Sequence, residues 1–147
     1  QGDHEIMVLH GDLPLIRVAE IEKLIATHRR AGVPALTIGP DGNREGTNCM
    51  ICTHASSITF SYGSSSFSKH CQQAASFGAS LRIVDLPGVG FDIDLPCDLK
   101  KLVSRSSGHP DSRTIRYLEE SGIADRVKGM LLDESDKMKR SGTTQAA

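Results

Sequence analysis

The sequence predicts an α/β fold with a mainly parallel sheet. Two observations support it: short apolar runs alternate with segments of helical periodicity, and polar loops rich in glycine, serine and aspartate follow the apolar runs. The predicted strands cover residues 5–12, 34–39, 49–54, 58–63 and 81–85. The predicted helices cover residues 13–32, 64–78, 95–103 and 113–122.

The helix boundaries rest on proline, glycine and serine signals. Pro14 suits the first turn of the first helix, and Gly32 follows its last turn. Three serines precede the second helix, and Gly78 ends it. Pro96 stands near the start of the third helix. We expect one domain over residues 1–147, with a polar, frayed tail from about residue 123.

Composition narrows the possible classes of function. The chain has 147 residues, 17 basic against 18 acidic side chains, and a net charge of −1, which is no bulk signature of nucleic-acid or membrane binding. No apolar run approaches the roughly 20 residues of a membrane-spanning helix, and no signal-peptide pattern is present. We therefore expect a cytoplasmic protein whose partners are neither nucleic acid nor membrane.

Cys49 and Cys52 form a C-x-x-C motif, which is typical of zinc or redox sites. Here the motif lies in a predicted strand, where positions three apart face opposite sides of the sheet. No second cysteine pair has zinc-ribbon spacing. We expect reduced, buried thiols rather than a metal or redox site.

Three aspartates follow predicted strands. Asp12 ends the first strand, and Asp92 and Asp94 lie in the segment FDIDLP, where alternate residues of an extended chain point to the same side. Carboxylates at strand ends can hold one or two magnesium ions that also bind substrate phosphates. The alternatives are a helix cap at Asp12, and a solvated turn plus a helix cap at Asp92 and Asp94.

A second group of polar residues is suited to an anion. Gly63 frees the backbone to turn, and the three serines that follow bring hydroxyls and amides to a helix amino terminus, which attracts anions. Simple capping is the alternative. His70 faces inward on the same helix, either as a hydrogen-bonded core residue or as part of the site. Thr47 and Asn48 offer a hydroxyl and an amide where a strand begins.

Taken in order, the segments VLHGDLPLI, GTN, YGSSSFSKH and FDIDLPCDL resemble the 2-phospho-L-lactate or phosphoenolpyruvate guanylyltransferases of coenzyme F420 biosynthesis. The resemblance spans roughly residues 6–102, with Tyr62 where the family usually has phenylalanine. It implies a Rossmann-like nucleotidyltransferase fold. It also implies transfer of GMP from GTP to 2-phospho-L-lactate, phosphoenolpyruvate or 3-phosphoglycerate, with release of pyrophosphate.

The resemblance also implies roles for individual residues. Asp12, Asp92 and Asp94 would hold Mg²⁺ and act in catalysis. A substrate pocket for the acid would be formed by Thr47, Asn48, Gly63, Ser64, Ser65, Ser66 and His70.

The family's nucleotide-binding loop should precede GDLP, and nothing before Asp12 matches it. We therefore expect a domain that lacks its N-terminal nucleotide-loop portion. Two alternatives follow: a non-catalytic module that binds a phospho-acid, and a related nucleotidyltransferase acting on a sugar phosphate or molybdopterin. An exposed sheet edge would favour a homo-oligomer.

Overall fold

A computed structural model describes residues 5–54 and 58–130. These residues form two compact units, one ending at Asp92 and one beginning at Ile93. The first unit contains β1 (Glu5–Leu9), α1 (Val18–Arg29), β2 (Ala35–Pro40), β3 (Thr47–Thr53), α2 (Ser66–Ser76) and β4 (Ser80–Ile83). The second contains α3 (Pro96–Ser104), a 3₁₀ turn (Ser106–Gly108), α4 (Arg113–Glu120) and helical backbone at residues 123–130.

The α/β class is confirmed, but the prediction of a mainly parallel sheet is wrong. The strand order is β1-β3-β2-β4, and two of the three pairings, β1 with β3 and β2 with β3, are antiparallel. Only β2 and β4 pair in parallel. The physical reason is the connection at residues 41–46, which is too short to carry the chain back for a parallel crossover, so β3 returns as the hairpin partner of β2.

The predicted strand at residues 58–63 is also wrong. The structure describes all of these residues, and none of them lies in a strand. Side chains of α2 take the place of a neighbouring strand. Gln73 accepts a hydrogen bond from the Thr59 amide (3.0 Å) and donates to the Thr59 carbonyl (2.8 Å). One turn earlier, His70 Nε2 accepts from the Ser61 amide (3.1 Å). Because these side chains satisfy its backbone, the segment lies irregularly against α2.

The sheet has a hydrophobic core on each face. One cluster contains Cys49, Ile51 and Leu24 of α1, and the other contains Met50, Cys52 and Ala74 of α2. Cys49 and Cys52 therefore face opposite sides, as predicted. Burial raises the pKa of both thiols, that of Cys49 to about 11, which keeps them protonated and unreactive at neutral pH.

In the second unit, α3 begins at Pro96 as predicted. The Asp98 carboxylate accepts from the Leu95 amide (3.0 Å) and pairs with Lys101 (3.0 Å). The predicted frayed tail starts at about residue 123. Residues 123–130 are helical, with Ala124 and Val127 buried, and residues 131–147 lie outside the described ones. Over the described ranges, none of the helices combines the length and apolar character needed to cross a membrane.

His28, buried between α1 and β2, makes stability depend on pH. Its Nδ1 bonds the Thr37 hydroxyl (3.0 Å), and burial lowers its pKa below the ordinary 6.5. The unfolded chain therefore binds a proton more readily than the folded one. This contribution to stability is complete above pH 6.5 and is lost as pH falls below it, at up to about 1.4 kcal/mol per pH unit.

Urea unfolding at pH 7.5 and 5.5 measures this dependence. We expect His28→Gln to weaken the pH dependence of the unfolding free energy, because the titrating group is gone. Substitution of the exposed His54 by Gln is the control for loss of a histidine. An unchanged pH dependence in His28→Gln would contradict the assignment.

Candidate functional site

The hairpin between β2 and β3 shapes one side of the candidate site. The Asp41 carboxylate accepts a hydrogen bond from the Glu45 amide (2.8 Å), and the Asp41 amide donates to the Gly46 carbonyl (3.2 Å). The hairpin places Thr47 and Asn48 at the start of β3, where their exposed fractions are 1% and 2%. Both predicted residues are thus held in a fixed, buried position.

The amino terminus of α2 forms the second side. Gly63 has φ +92° and Ser65 has φ +58°, so the chain turns sharply twice before the helix. Ser64 and Ser65 are exposed, whereas Ser66 is buried. Ser65 is the N-cap residue, but its side chain makes no capping hydrogen bond. Capping therefore does not explain these hydroxyls.

The two sides are joined at two levels. The Phe67 amide donates to the Glu45 carbonyl (3.1 Å), which ties the first turn of α2 to the hairpin. One turn further, His70 Nδ1 lies 3.0 Å from Thr47 Oγ1. Burial, with a smaller effect of Lys69, lowers the pKa of His70. The structure therefore brings Thr47 and His70 together beside the serine turn, residues 63–66.

Asn48 contacts the loop that precedes FDIDLP. Its amide nitrogen donates to the Val89 carbonyl (2.9 Å), and both residues are buried. One residue before Val89, the Gly88 amide donates to one oxygen of the Glu20 carboxylate (2.8 Å). The second oxygen of Glu20 accepts from the Arg17 amide at the start of α1 (3.0 Å). Asn48 and Glu20 together fix the loop that leads to Asp92.

The three aspartates are not helix caps. Arg17 is the N-cap of α1 and Leu95 is the N-cap of α3, so neither Asp12 nor Asp94 fills that position. Asp12 and Asp94 are exposed, and no basic side chain of the described residues pairs with either; Asp92 is half-buried. Asp12 and Asp92 belong to the first unit and Asp94 to the second.

Carboxylate oxygens are donors that Mg²⁺ favours, so the chemistry of these residues fits the metal. Across residues 5–54 and 58–130, however, no group of three or more His, Cys, Asp or Glu side chains is already arranged to hold a metal ion. Magnesium commonly takes one or two carboxylates and completes its shell with substrate phosphates and water. The magnesium site stays a prediction.

The sequence reasoning missed two contributors. Gln73 fixes the segment before the serine turn, and Glu20 fixes the loop at Gly88. Arg44, two residues before Gly46, forms a two-pronged ion pair with Asp85 (3.1 and 2.5 Å). That exposed pair lowers the pKa of Asp85. Only Gln73 had a signal, since it stands three residues after His70 and so shares its helix face.

Comparison with known proteins places these features in a family. The family model described as "Guanylyl transferase CofC like" matches residues 1–140. The chain belongs to this family. A phosphoenolpyruvate guanylyltransferase of Rubrobacter xylanophilus is 35% identical over 69% of this chain and 49% of its own length. A 2-phospho-L-lactate guanylyltransferase of Halorubrum lacusprofundi is 31% identical over 84% of this chain and 55% of its own length.

A third relative, the phosphoenolpyruvate guanylyltransferase of Sphaerobacter thermophilus, is 33% identical over 72% of this chain and 50% of its own length. The chain thus spans about half the length of the curated relatives that it matches. Membership in the guanylyl transferase family confirms the resemblance seen in the sequence motifs.

Proposed function

We propose that this chain is a guanylyltransferase of coenzyme F420 biosynthesis and that the residues around Thr47 bind its acid substrate. The enzyme would transfer GMP from GTP to phosphoenolpyruvate, 2-phospho-L-lactate or 3-phosphoglycerate and release pyrophosphate. The observation that carries the proposal is a junction of two bonds in a chain of this family: the Thr47 hydroxyl bonds His70 of α2, and the Phe67 amide at the α2 amino terminus bonds the Glu45 carbonyl. We also propose that the full domain has the Rossmann-like nucleotidyltransferase fold.

The junction suits a small phosphorylated acid. The amides of Ser66 and Phe67 in the first turn of α2 already donate to the carbonyls of Gly63 and Glu45. The positive end of the helix dipole still lies at this terminus and favours an anion. The exposed hydroxyls of Ser64 and Ser65 can add hydrogen bonds without adding charge, and Gly63 leaves room for the backbone to approach the ligand, since a Cβ there would meet nothing within 4 Å. Each of these groups can neutralise or bind an oxyanion.

The reaction needs alignment more than covalent help. A phosphate oxygen of the acid, already ionised, would attack the α-phosphorus of GTP; the bond from that phosphorus to the bridging oxygen would break, and pyrophosphate would leave. The residues around Thr47 would hold the attacking acid in line. Bound Mg²⁺, with ligands from Asp12, Asp92 and Asp94, would supply charge neutralisation between the two polyanions.

A second candidate is a non-catalytic module that binds a phospho-acid. In this case the acid would bind, but GTP would not be turned over. The cytoplasmic location and the homo-oligomer also remain predictions.

Two measurements separate the candidates. Calorimetry with phosphoenolpyruvate tests acid binding, and a pyrophosphate-release assay with Mg²⁺ tests turnover of GTP, with CTP and ATP as nucleotide controls. We expect release that requires both GTP and a phosphorylated three-carbon acid. Acid binding without release would favour the module, and release with a sugar phosphate or molybdopterin instead would contradict the proposed substrate class.

A further inference from the structure

His70 connects two parts of the candidate site that are far apart along the chain. Its Nε2 lies 3.1 Å from the Ser61 amide nitrogen, and its Nδ1 lies 3.0 Å from Thr47 Oγ1. The side chain is fully buried, with 0% of its surface exposed. Ser61 lies just before the turn at Gly63, so both bonds reach residues that the proposed function assigns to the acid pocket or their immediate neighbours.

The two bonds fix the tautomer of His70. A backbone N–H can only donate, so Nε2 must accept and carries no proton. Neutral imidazole then has its proton on Nδ1, which must donate to the Thr47 hydroxyl oxygen. The direction of each hydrogen bond in the chain Ser61, His70, Thr47 is therefore determined.

This direction has a consequence for Thr47. Its oxygen accepts from His70, so its own O–H cannot point back at the ring and is left to donate elsewhere. Among the residues that the structure describes, no acceptor is assigned to that O–H. A buried donor without an acceptor is unfavourable, and an anionic oxygen of a ligand would satisfy it.

We propose that His70 is a positioning residue for the phosphorylated acid, acting as the neutral Nδ1–H tautomer. It aims the Thr47 O–H at the ligand and at the same time holds the segment that leads into the serine turn. This inference rests on the proposed function, since it assigns the Thr47 hydroxyl to the acid pocket. His70 itself does not touch the ligand.

Protonation of His70 would disrupt this arrangement, because an N–H at Nε2 would face the Ser61 N–H. The groups that surround the ring include the charged Lys69 on its own helix and the titratable Tyr62, whose ring lies edge-on to it (centroids 5.3 Å apart). The ring of Tyr62 in turn packs against the ring of His10, with the two centroids 5.3 Å apart. Thr47 and Gln73 are uncharged. We expect acid binding to weaken as His70 takes up a proton.

Calorimetry with phosphoenolpyruvate tests the assignment in four variants of this chain. His70→Phe keeps bulk and removes both bonds, and Thr47→Val keeps shape and removes the hydroxyl. We expect each to raise the dissociation constant about 10- to 100-fold. The double variant should lose less than the sum of the two single losses, because both changes break the contact between His70 and Thr47. His70→Gln can supply an acceptor and a donor without titrating, so it should bind within about threefold of the wild type at pH 7.5. Its pH dependence between pH 5.5 and 7.5 should be weaker than that of the wild type, because only the phosphate of the ligand, with a second pKa of about 6, still titrates.

Additive losses in the double variant, or wild-type pH dependence in His70→Gln, would overturn the positioning role. Lys69→Gln, next to His70 but exposed, is the matched control and should bind like the wild type. If the wild-type chain itself binds no phosphoenolpyruvate, the proposed function fails and this inference fails with it.

A ligand-free measurement distinguishes the two failures and does not depend on any variant folding. The ¹⁵N chemical shifts of the His70 ring at pH 7.5 should show a protonated Nδ1 and an unprotonated Nε2. A protonated Nε2 would overturn the hydrogen-bond direction while leaving the proposed function intact.

Discussion

Gly88→Ala lowers the free energy of unfolding by about 3 kcal/mol or more, which is the largest stability loss that we expect from a single added methyl group in this chain. The reason is space rather than backbone torsion. A Cβ at this position would lie 2.5 Å from the Leu15 carbonyl oxygen and 2.9 Å from the Ile16 Cα, and it would collide with the Glu20 carboxylate. Backbone atoms cannot turn aside as a side chain can.

The same change should also disturb the site. Gly88 donates to Glu20, and the next residue, Val89, accepts from Asn48, so displacement of the loop would move the chain that leads to Asp92. Urea unfolding followed by circular dichroism measures the stability loss. Gly32→Ala is the matched control, since a Cβ there meets nothing within 4 Å. Equal stability of the two variants would contradict the close packing at Gly88.

Local signals in the sequence predicted the parts of the fold that depend on neighbouring residues. The alternation of inward and outward positions in a strand correctly placed Cys49 and Cys52 on opposite faces, and Pro96 correctly marked the start of α3. These features need no knowledge of distant partners. For the same reason the serine turn and Thr47 could be recognised as polar groups at element ends.

The errors concern choices that tertiary contacts make. Whether β3 runs parallel or antiparallel to β2 depends on which strand it pairs with, and its own composition is suited to both. Residues 58–63 have a strand-like pattern, but Gln73 and His70 satisfy their backbone from the side. Pro14 suited a helix start, yet α1 begins only at Val18, because Glu20 accepts from the Arg17 amide and fixes the N-cap there.

The residues of the candidate site also divide into those that local patterns reveal and those that depend on tertiary contacts. Asn48 is recognisable as a polar residue beside Thr47, but its bond to Val89, 41 positions along the chain, depends on how the Gly88 loop folds back. Glu20 gave no signal at all, because a glutamate in the first turn of a helix is common for reasons of helix dipole alone. Residues that position a site through distant backbone are thus the ones that pattern reasoning misses.

Asp94→Asn should reduce Mg²⁺-dependent pyrophosphate release by about 100-fold or more, because a neutral amide is a weak ligand for magnesium and several kcal/mol of charge stabilisation would be lost. The fold should not change. Asp94 is exposed, is not the N-cap of α3, and pairs with no basic side chain in the described ranges. Unfolding free energy within about 0.5 kcal/mol of the wild type would confirm that the loss is functional.

Asp125→Asn supplies the matched control, because its side chain is also in the second unit and is 85% exposed. Both variants remove one negative charge, so a general effect of net charge on polyanion binding would appear in both. Titration with Mn²⁺, followed by the broadening of water-proton resonances, gives a readout that does not require turnover, and Asp94→Asn alone should weaken it. If Asp94→Asn releases pyrophosphate and binds Mn²⁺ as well as Asp125→Asn does, Asp94 is not a metal ligand, and FDIDLP would contribute Asp92 alone.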